Sequence, residues 1–373
     1  MLVAFRCDAS VEIGGGHVAR CLTLARELIA RGANILFLSR NASPAIADGI
    51  RSVPGIEFAP LEDKGSPGLP DPGLPVAHNH WLRVSQAQDA FDTGVVMARR
   101  SKPDWLVVDH YALDARWEKS VRHLSGKILV IDDLADRPHE ADLLLDQNLF
   151  LNPEQRYAEN APTYCRLLLG PHYALLRQEF IEARSTLPPR SGKLERLLVN
   201  FGSYDPMNLT LEALHGVEDA DLHDLKKVDV VVGSETPNLA SITSYCRNRP
   251  GHQVHVQASN MAALMAGADL AIGASGATTW ERCCLGLPSI VFAVADNQVP
   301  IGAGCDRAGA VVYLGRAPNA VRSLVSGSLR QLSDNPEKLG RMAEIGISLT
   351  DGLGAQRVGN AMFSKNADIS SVI

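Results

Sequence analysis

A histidine follows three consecutive glycines near the start of the chain, where a short apolar run gives way to a helical pattern. The segment reads Gly14-Gly15-Gly16-His17 and comes shortly after Asp8. Glycines let a ligand approach the backbone closely, and the positive end of the predicted helix disfavours a charged imidazole. A neutral His17 at this position can accept a proton from water, so it is a candidate general base. The alternative is a histidine that only caps or packs the helix.

Acidic and aromatic residues follow two further apolar runs in the first half of the chain. Asp109-His110-Tyr111 comes directly after one run, and Asp132-Asp133 follows the next. A carboxylate, an imidazole and a phenol together exceed what a turn requires, and they indicate a polar site at the edge of a sheet. The alternative for Asp109 is the N-cap of the next helix. Some of the acids near Asp132 are expected to be solvated turn residues.

A segment rich in glycine and hydroxyl residues, Gly273–Glu281, stands out in the second half. It follows a predicted strand and begins a helix, so its backbone N–H groups and hydroxyls suit an anion such as a phosphate. Glu281 is placed to reach ribose hydroxyls, and Asn297-Gln298 follows the next strand with amides directed to the same crevice. Gly202-Ser203, after another strand, also suits a phosphate. Tight packing of helix on strand is the alternative interpretation of the glycines.

Short apolar runs alternate with helical patterns along the whole chain. Strands that are apolar throughout and separated by helices indicate parallel sheets covered on both faces. Two such series predict two α/β domains. The predicted strands are Leu2–Phe5, Asn34–Leu38, Trp105–Val108, Ile128–Ile131, Arg196–Phe201, Lys227–Val232, Val254–Val256, Leu270–Ile272 and Ser289–Val294.

The break between the domains is predicted at residues 184–193, where two prolines and small polar residues cannot continue a helix. This gives an N-terminal domain of residues 1–185, a C-terminal domain of residues 194–355 and a tail of residues 356–373. The tail is expected to fray beyond about Ser364. Lys64–Ala77 is rich in proline and glycine and long enough to be a lid or a mobile segment.

The composition is that of a globular protein, with 46% hydrophobic and 21% charged residues. A net charge of −6 gives no overall field that would attract nucleic acid. The N-terminus does not resemble a signal peptide, and no apolar run is long enough to span a membrane. Seven scattered cysteines without metal-ligand spacing suit a reducing compartment, so a cytoplasmic location is expected.

The segments together resemble the UDP-2,4-diacetamido-2,4,6-trideoxy-β-L-altropyranose hydrolase family of bacterial pseudaminic-acid biosynthesis. The resemblance extends over nearly the whole chain, because ten pieces occur in the family's order. They are Phe5–Ala9, Gly14–Cys21, His80–Leu82, Val108–Tyr111, Ile131–Asp136, Leu169–Leu176, Phe201–Asn208, Gly273–Pro288, Asn297-Gln298 and Asp351–Ala355.

This resemblance implies a GT-B-like α/β fold, in which two Rossmann-like domains have parallel sheets facing a central cleft. It implies inverting cleavage of the C–O bond at the anomeric carbon, without a metal or other cofactor, to give UDP and the free sugar. The implied partners are the UDP-sugar and water, without nucleic acid or membrane insertion, and the chain would be a monomer or a weak dimer. Flagellin is the family's usual destination for the sugar.

The resemblance assigns His17 as the base that activates water and the second glycine-rich segment as the UDP-binding element. The candidate catalytic residues are His17, Asp8, Tyr111 and Asn297. The candidate substrate-binding residues are Arg6, Gly15, Gly16, Arg20, Asp109, Gly202, Ser203, Met261, Ser275, Gly276, Ala277, Thr278, Glu281 and Gln298. One departure is Ser203, which stands where the family usually has a second glycine, so its Cβ and hydroxyl alter the closest approach of a diphosphate.

Three other functions are compatible with parts of this pattern. A GT-B glycosyltransferase would use the same kind of donor and pass the sugar to an acceptor hydroxyl. A non-catalytic sugar-nucleotide-binding protein would bind UDP and leave the sugar intact. A UDP-sugar 2-epimerase would need acidic and basic carboxylates around C2, and no such set is assigned in this sequence.

Overall fold

A computed structural model describes residues 1–10, 13–40, 42–62 and 76–364. Its internal contacts divide the chain into two compact units. Unit 1 consists of Met1–Asn148, Asn152–Leu175 and Leu353–Ile373, and unit 2 consists of Leu149–Leu151 and Leu176–Gly352. Unit 1 is therefore built from separate stretches of the chain.

Unit 1 contains a seven-stranded parallel sheet in the order β3-β2-β1-β4-β5-β6-β7. The chain leaves β1 in the middle of this sheet, so the order reverses between β1 and β4. In open parallel sheets, ligands collect at such a reversal, beyond the carboxyl ends of the strands. The strands are β1 Leu2–Cys7, β2 Asn34–Arg40, β3 Ile56–Leu61, β4 Trp105–Asp109, β5 Lys127–Ile131, β6 Leu143–Asp146 and β7 Arg166–Leu169. The first five helices are α1 Gly16–Ala30, α2 Pro44–Arg51, α3 Gln86–Met97, α4 Ala115–Val121 and α5 Pro153–Tyr157.

The alternation of β1 shows how both faces of this sheet are covered. Val3, Phe5 and Cys7 belong to one hydrophobic core, which includes residues of α1, whereas Ala4 belongs to the core on the other face. Burial on both faces explains why the strands read as continuous apolar runs. It also means that a polar side chain inside such a strand needs a partner within the protein.

Unit 2 contains a six-stranded parallel sheet in the order β10-β9-β8-β11-β12-β13. The order again reverses next to the first strand of the unit, between β8 and β11. The strands are β8 Arg196–Asn200, β9 Lys227–Val232, β10 His252–Val256, β11 Leu270–Ala274, β12 Ser289–Ala293 and β13 Val311–Arg316. The helices are α6 Gln178–Ser185, α7 Leu209–Ala220, α8 Leu239–Arg247, α9 Met261–Gly267, α10 Thr278–Cys284, α11 Val299–Ala308, α12 Val321–Ser333 and α13 Pro336–Leu349.

The predicted architecture of two α/β domains with parallel sheets is confirmed. All nine predicted strands are present, and several extend one or two residues beyond the predicted ends. Four strands were not predicted, namely β3, β6, β7 and β13. Three of these four, β3, β7 and β13, are edge strands, where partial exposure interrupts the apolar run, and β6 is a buried four-residue strand next to an edge.

The division into units differs from the predicted boundaries. The second unit starts at Leu176, before the proline-rich stretch, because α6 packs within unit 2. Residues 354–363, expected as part of a tail, form a last helix, α14 Gly354–Phe363, which belongs to unit 1. The Trp105 indole N–H donates to the Met362 carbonyl at 3.0 Å, which anchors this helix. Most of the stretch expected as a lid, residues 64–75, lies outside the described residues, as do residues 365–373.

None of the helices in the described ranges has the length and apolar character needed to cross a membrane.

Candidate functional site

A histidine–aspartate pair lies at the reversal point of the unit 1 sheet. His17 is the second residue of α1, and Asp109 is the last residue of β4. Nδ1 of His17 and Oδ1 of Asp109 are 2.6 Å apart. Since the carboxylate can only accept, Nδ1 is assigned a proton, and in the neutral form of the imidazole Nε2 is then the nitrogen without one. No residue in the described part of unit 1 hydrogen-bonds to Nε2, so this nitrogen is available to accept a proton from water.

Arg20, one turn further along α1, holds the carboxylate of Asp109 in place. Its Nε and Nη2 groups donate to the two oxygens of Asp109, each at 2.7 Å. Burial would raise the pKa of Asp109, but Arg20 and His17 together hold that pKa below its usual range. Asp109 is therefore ionised over the working range of pH and can stabilise the imidazolium that forms when His17 takes a proton.

Asp133 connects this pair to Tyr111. The carboxylate of Asp133 accepts from Nη1 of Arg20 at 2.6 Å, from the Tyr111 hydroxyl at 2.5 Å and from the Asn148 side-chain amide at 2.8 Å. Burial and the negative charge of Asp133 raise the pKa of Tyr111 well above its usual value, so Tyr111 is a neutral phenol. The Tyr111 ring meets the His17 ring edge to face at 4.6 Å between centroids. Tyr111 therefore positions His17 by its ring, while its hydroxyl is committed to Asp133.

An aromatic surface lies beside His17. The Trp81 ring stacks on Tyr111, with centroids 5.5 Å apart and planes 23° apart, and the His78 ring lies 4.3 Å from Trp81. Both Trp81 and His78 are half-buried. A partly exposed aromatic face next to a candidate base suits the apolar side of a sugar-sized ligand.

Arg6 and Asp8 lie deeper than the sequence suggested. Arg6 is completely buried and donates to Asp8 and to Asp89. Asp8 also accepts from the Arg40 backbone N–H at 2.6 Å and lies 3.2 Å from Nε2 of His110. These contacts do not fit the predicted direct roles of Asp8 in catalysis and of Arg6 in substrate binding. They fit an ion-paired network that fixes the end of β1, because a buried charge is tolerated only when it is paired.

The glycines before His17 leave open space around the start of α1. Gly15 and Gly16 are exposed, and a Cβ added to either would meet no atom within 4 Å. Crowding by neighbouring atoms therefore does not explain why Gly15 and Gly16 are glycines. The arrangement is compatible with the predicted close approach of a ligand to Gly15 and Gly16.

Cys7, Cys21 and Asp109 place possible metal-binding atoms within 4.8 Å of one another. However, both oxygens of Asp109 already accept from the Arg20 guanidinium, which would repel a cation. Burial raises the pKa of both thiols, which disfavours the thiolates that a metal requires. These three residues therefore do not fit a metal site.

In unit 2, the turn between β11 and α10 exposes backbone N–H groups. The N–H groups of Gly276, Ala277 and Thr278 have no partner among the described residues, and the three residues are half-buried or exposed. Gly273, just before the turn, is required by packing, since a Cβ there would lie 2.1 Å from the Asn200 carbonyl oxygen. The turn can therefore present donors to an anion.

Ser275 does not present its hydroxyl as the sequence analysis expected. Its side chain is completely buried, and the hydroxyl lies within hydrogen-bond distance of the backbone carbonyls of Phe292 and Gln298. Its backbone N–H also donates to the Phe292 carbonyl. Ser275 thus ties the turn to the segment after β12, and its own donors are occupied within the protein.

Glu281 and the segment after β12 lie near this turn. Glu281 accepts from Arg177 at 3.2 Å, and burial raises the pKa of the Glu281 carboxyl. The Gln298 side chain accepts from the Val294 N–H at 3.1 Å, and its Nε2 would lie 3.1 Å from a Cβ added to Gly276. Asn297 is half-buried in the same 3₁₀ turn. The structure thus brings Gln298 to the turn at Gly276, as predicted from sequence.

The loop after β8 is arranged differently from a phosphate-binding loop. The Asp205 carboxylate accepts from the backbone N–H groups of Leu209 and Thr210, at 3.0 and 2.8 Å, and so occupies the start of α7. Gly202 has a positive φ of 107°, and Ser203 is exposed. The protein's own carboxylate thus fills the helix terminus that an anion would otherwise use, while Gly202 and Ser203 remain accessible.

Met261 begins α9 and is buried, with 7% of its surface exposed.

Sequence reasoning missed Asp133, Asp89 and Arg40, which hold the unit 1 network together. The sequence signal for Asp133 was its position directly after a buried strand, next to the equally acidic Asp132.

Comparison of the chain with solved structures defines the class of fold. The chain superposes on MurG of Acinetobacter baumannii with a TM-score of 0.64 and 15% identity, covering 97% of this chain and 98% of that one. The UDP complex of UGT89C1 from Arabidopsis thaliana gives a TM-score of 0.68 at 14% identity, covering 97% and 99%. The protein has the GT-B fold.

Comparison with curated sequences gives more specific similarities. The chain is 29% identical over 362 residues to the spore coat polysaccharide biosynthesis protein SpsG of Bacillus subtilis, covering 96% of each chain. It is 26% identical over 269 residues to the UDP-2,4-diacetamido-2,4,6-trideoxy-β-L-altropyranose hydrolase of Campylobacter jejuni, covering 71% of this chain and 81% of that one. It also matches an uncharacterized protein of Methanocaldococcus jannaschii at 26% identity, and this match spans 55% of that protein's length. No model of a known protein family matches the chain.

Proposed function

We propose that this protein hydrolyses a UDP-linked diacetamido-trideoxy sugar to UDP and the free sugar, in the biosynthesis of pseudaminic acid or a related sugar. The observation that carries the proposal is the His17–Asp109 pair, in which Nε2 of His17 has no hydrogen-bond partner in the described part of unit 1. Similarity to the Campylobacter jejuni hydrolase over most of the chain supports the choice of substrate.

Unit 1 supplies the base in this proposal. Water bound at Nε2 of His17 loses a proton to the imidazole as its oxygen attacks the anomeric carbon. Asp109 holds the ring and balances the positive charge that forms on it. The attack breaks the bond from C1 to the phosphate oxygen, and the electron pair leaves with UDP. Attack from the side opposite UDP inverts the configuration at C1.

Unit 2 supplies nucleotide binding in this proposal. The free N–H groups of Gly276, Ala277 and Thr278 stabilise the negative charge that develops on the departing diphosphate. UDP is a good leaving group, so a general acid is not required, and Glu281 is left to bind ribose hydroxyls. Asn297 and Gln298 are proposed to contact the sugar or the phosphates.

Glycosyl transfer is the second candidate function, because GT-B glycosyltransferases share the fold of this chain. A transferase would use the His17 base to deprotonate an acceptor hydroxyl in place of water. Release of free sugar in the absence of any acceptor separates the two functions.

The test is incubation of the protein with the UDP-linked diacetamido-trideoxy altrose, beside UDP-N-acetylglucosamine, while proton NMR follows the anomeric signals. Cleavage of the first substrate alone, with an inverted first-formed anomer, is the expected result. The His17→Ala variant should lose about 10²–10⁴-fold in turnover, the contribution of a positioned general base, and keep its UDP affinity. The matched control is His123→Ala, which removes an exposed histidine of the same unit. Turnover of His17→Ala equal to that of the control would exclude His17 as the base.

A further inference from the structure

Arg282 is a buried arginine on α10, behind the Gly276–Thr278 turn. Only 2% of its surface is exposed. Its Nη2 group donates to the Ala274 carbonyl at 2.8 Å and to the Thr279 hydroxyl oxygen at 3.0 Å, whereas Nε has no partner among the residues that the structure describes. No carboxylate within the described ranges lies within 4.0 Å of its guanidinium. Arg282 is thus a buried cation held by neutral oxygens alone.

A buried charge without a counter-ion is costly, and proteins seldom keep one unless a ligand supplies the opposite charge. Burial lowers the pKa of Arg282 to about 10, which reports the same imbalance. Glu281, the adjacent carboxylate, only partly offsets this effect. It is itself paired with Arg177, at 3.2 Å. The protein therefore leaves much of the positive charge of Arg282 uncompensated.

The contacts of Arg282 direct this charge toward the turn. Its Nη1 group lies 3.4 Å from the Thr278 hydroxyl oxygen and donates to it. The oxygen thus acts as an acceptor toward Arg282, and the hydroxyl proton remains free to be donated to a ligand. Nη1 would also lie 3.3 Å from a Cβ added to Gly273, which is a second reason for glycine at that position.

We propose that Arg282 makes the Gly276–Thr278 turn selective for a nucleoside diphosphate over an uncharged nucleoside, with a monophosphate between the two. Arg282 acts through its unpaired charge and through the Thr278 hydroxyl, without touching the ligand. The inference rests on the proposed UDP-binding role of unit 2 and identifies the residue that sets the charge requirement.

A purely structural role is the competing explanation, because Arg282 also joins α10 to the end of β11. Arg190 provides a matched control. It likewise donates to backbone carbonyls, those of Met265, Ala268 and Leu285, and burial lowers its pKa to about 10 as well. Unlike Arg282, it has no hydrogen bond to the residues of the turn.

The experiment measures binding of uridine, UMP and UDP by calorimetry to the full-length protein and to Arg282→Met, Arg282→Lys and Arg190→Met. Arg282→Met should weaken UDP binding at least about tenfold and UMP binding less, and should change uridine binding less than about twofold. Arg282→Lys should lie between the wild type and Arg282→Met. Arg190→Met should lower the melting temperature and leave the ratio of UDP to uridine affinity unchanged.

Equal losses for UDP and uridine in Arg282→Met would show a structural role and overturn the inference. If Arg282→Met does not fold, Thr278→Val decides, because it removes the hydroxyl and keeps the buried cation. An unchanged UDP affinity in Thr278→Val would then count against the inference. If the wild-type protein binds neither UDP nor uridine, the proposed function of unit 2 fails together with the inference. If it binds both and only the ratio is insensitive to Arg282, the inference alone fails.

Discussion

Replacement of Asp109 by asparagine tests the base assignment, because it keeps the shape of the side chain and removes its charge. Oδ1 of Asp109 accepts from both His17 and Nη2 of Arg20, whereas Oδ2 accepts from Nε of Arg20 and the Cys21 thiol. An asparagine would place its NH₂ group at the Oδ2 position. There it faces only one strong donor, Nε of Arg20, whereas at the Oδ1 position it would face two. Its oxygen would then still accept from Nδ1 of His17. His17 would therefore keep the tautomer that has its proton on Nδ1 and leaves Nε2 free.

This geometry sets the expected magnitude. Loss of the tautomer as well as the charge would approach the upper end of the general-base contribution, about 10⁴-fold. Loss of the charge alone should fall near the lower end, about 10²-fold in kcat, or about 2.7 kcal/mol. Stability should fall by about 3 kcal/mol, the lower end of the cost of breaking a buried ion pair, because Arg20 keeps Asp133 as a partner.

The assay is single-turnover cleavage of the UDP-linked diacetamido sugar, with circular dichroism to confirm folding and calorimetry for UDP affinity. The control is Asp114→Asn, since Asp114 caps α4 and asparagine caps a helix equally well. We expect the control to keep its kcat and Asp109→Asn to keep its UDP affinity. A folded Asp109→Asn variant with less than a fivefold loss of kcat would refute the interpretation of His17 and Asp109 as a functional pair.

Three further predictions concern the pH dependence of stability and two of the glycines. Burial and the nearby charge of Asp133 raise the pKa of Asp146 from 3.8 to about 7, so the folded protein holds a proton that the unfolded chain loses above about pH 4. The stability from Asp146 is therefore lost as the pH rises through 7, and Asp146→Asn should raise the melting temperature more at pH 8 than at pH 5; a difference independent of pH would contradict this. Gly273→Ala should destabilise the fold by about 1–3 kcal/mol or more in chemical denaturation, because the added Cβ meets the Asn200 carbonyl. Gly15→Ala, where the Cβ meets open space, should cost less than about 1 kcal/mol and yet weaken substrate binding, and unchanged binding would show that no ligand approaches Gly15.

The sequence was sufficient to predict the fold and to single out His17 and Asp109 separately, because apolar runs mark the buried strands and ligands collect at strand ends. It did not predict that the two side chains form a pair. It was not sufficient for the network behind that pair. Asp132 and Asp133 are adjacent and identical in type, and only the fold shows that Asp133 is the one that binds Arg20 and Tyr111. Asp89 joins Arg6 across 83 residues of sequence, and no local pattern reveals such a distant partner.

Side-chain direction was the second quantity that the sequence could not provide. Ser275 lies in a segment that suits an anion, yet its hydroxyl faces the carbonyls of Phe292 and Gln298. Asp205 follows Gly202-Ser203 in a loop that also suits a phosphate, yet its carboxylate caps α7. In both places the residue types permit a ligand, and the structure shows a partner inside the protein.

The return of the chain to unit 1 through α14 determines when that unit can be completed during synthesis. Unit 2 occupies the sequence between Leu176 and Gly352 almost without interruption, so all but three of its residues leave the ribosome in one stretch. The hydrogen bonds of Trp105 to Met362 and of Arg31 to Asn360 cannot form until the final segment has emerged. The usual order, in which the N-terminal domain folds first, is thus reversed for the last step of this chain. Part of the apolar surface of unit 1 therefore stays uncovered until α14, which is made after the whole of unit 2, has been synthesised.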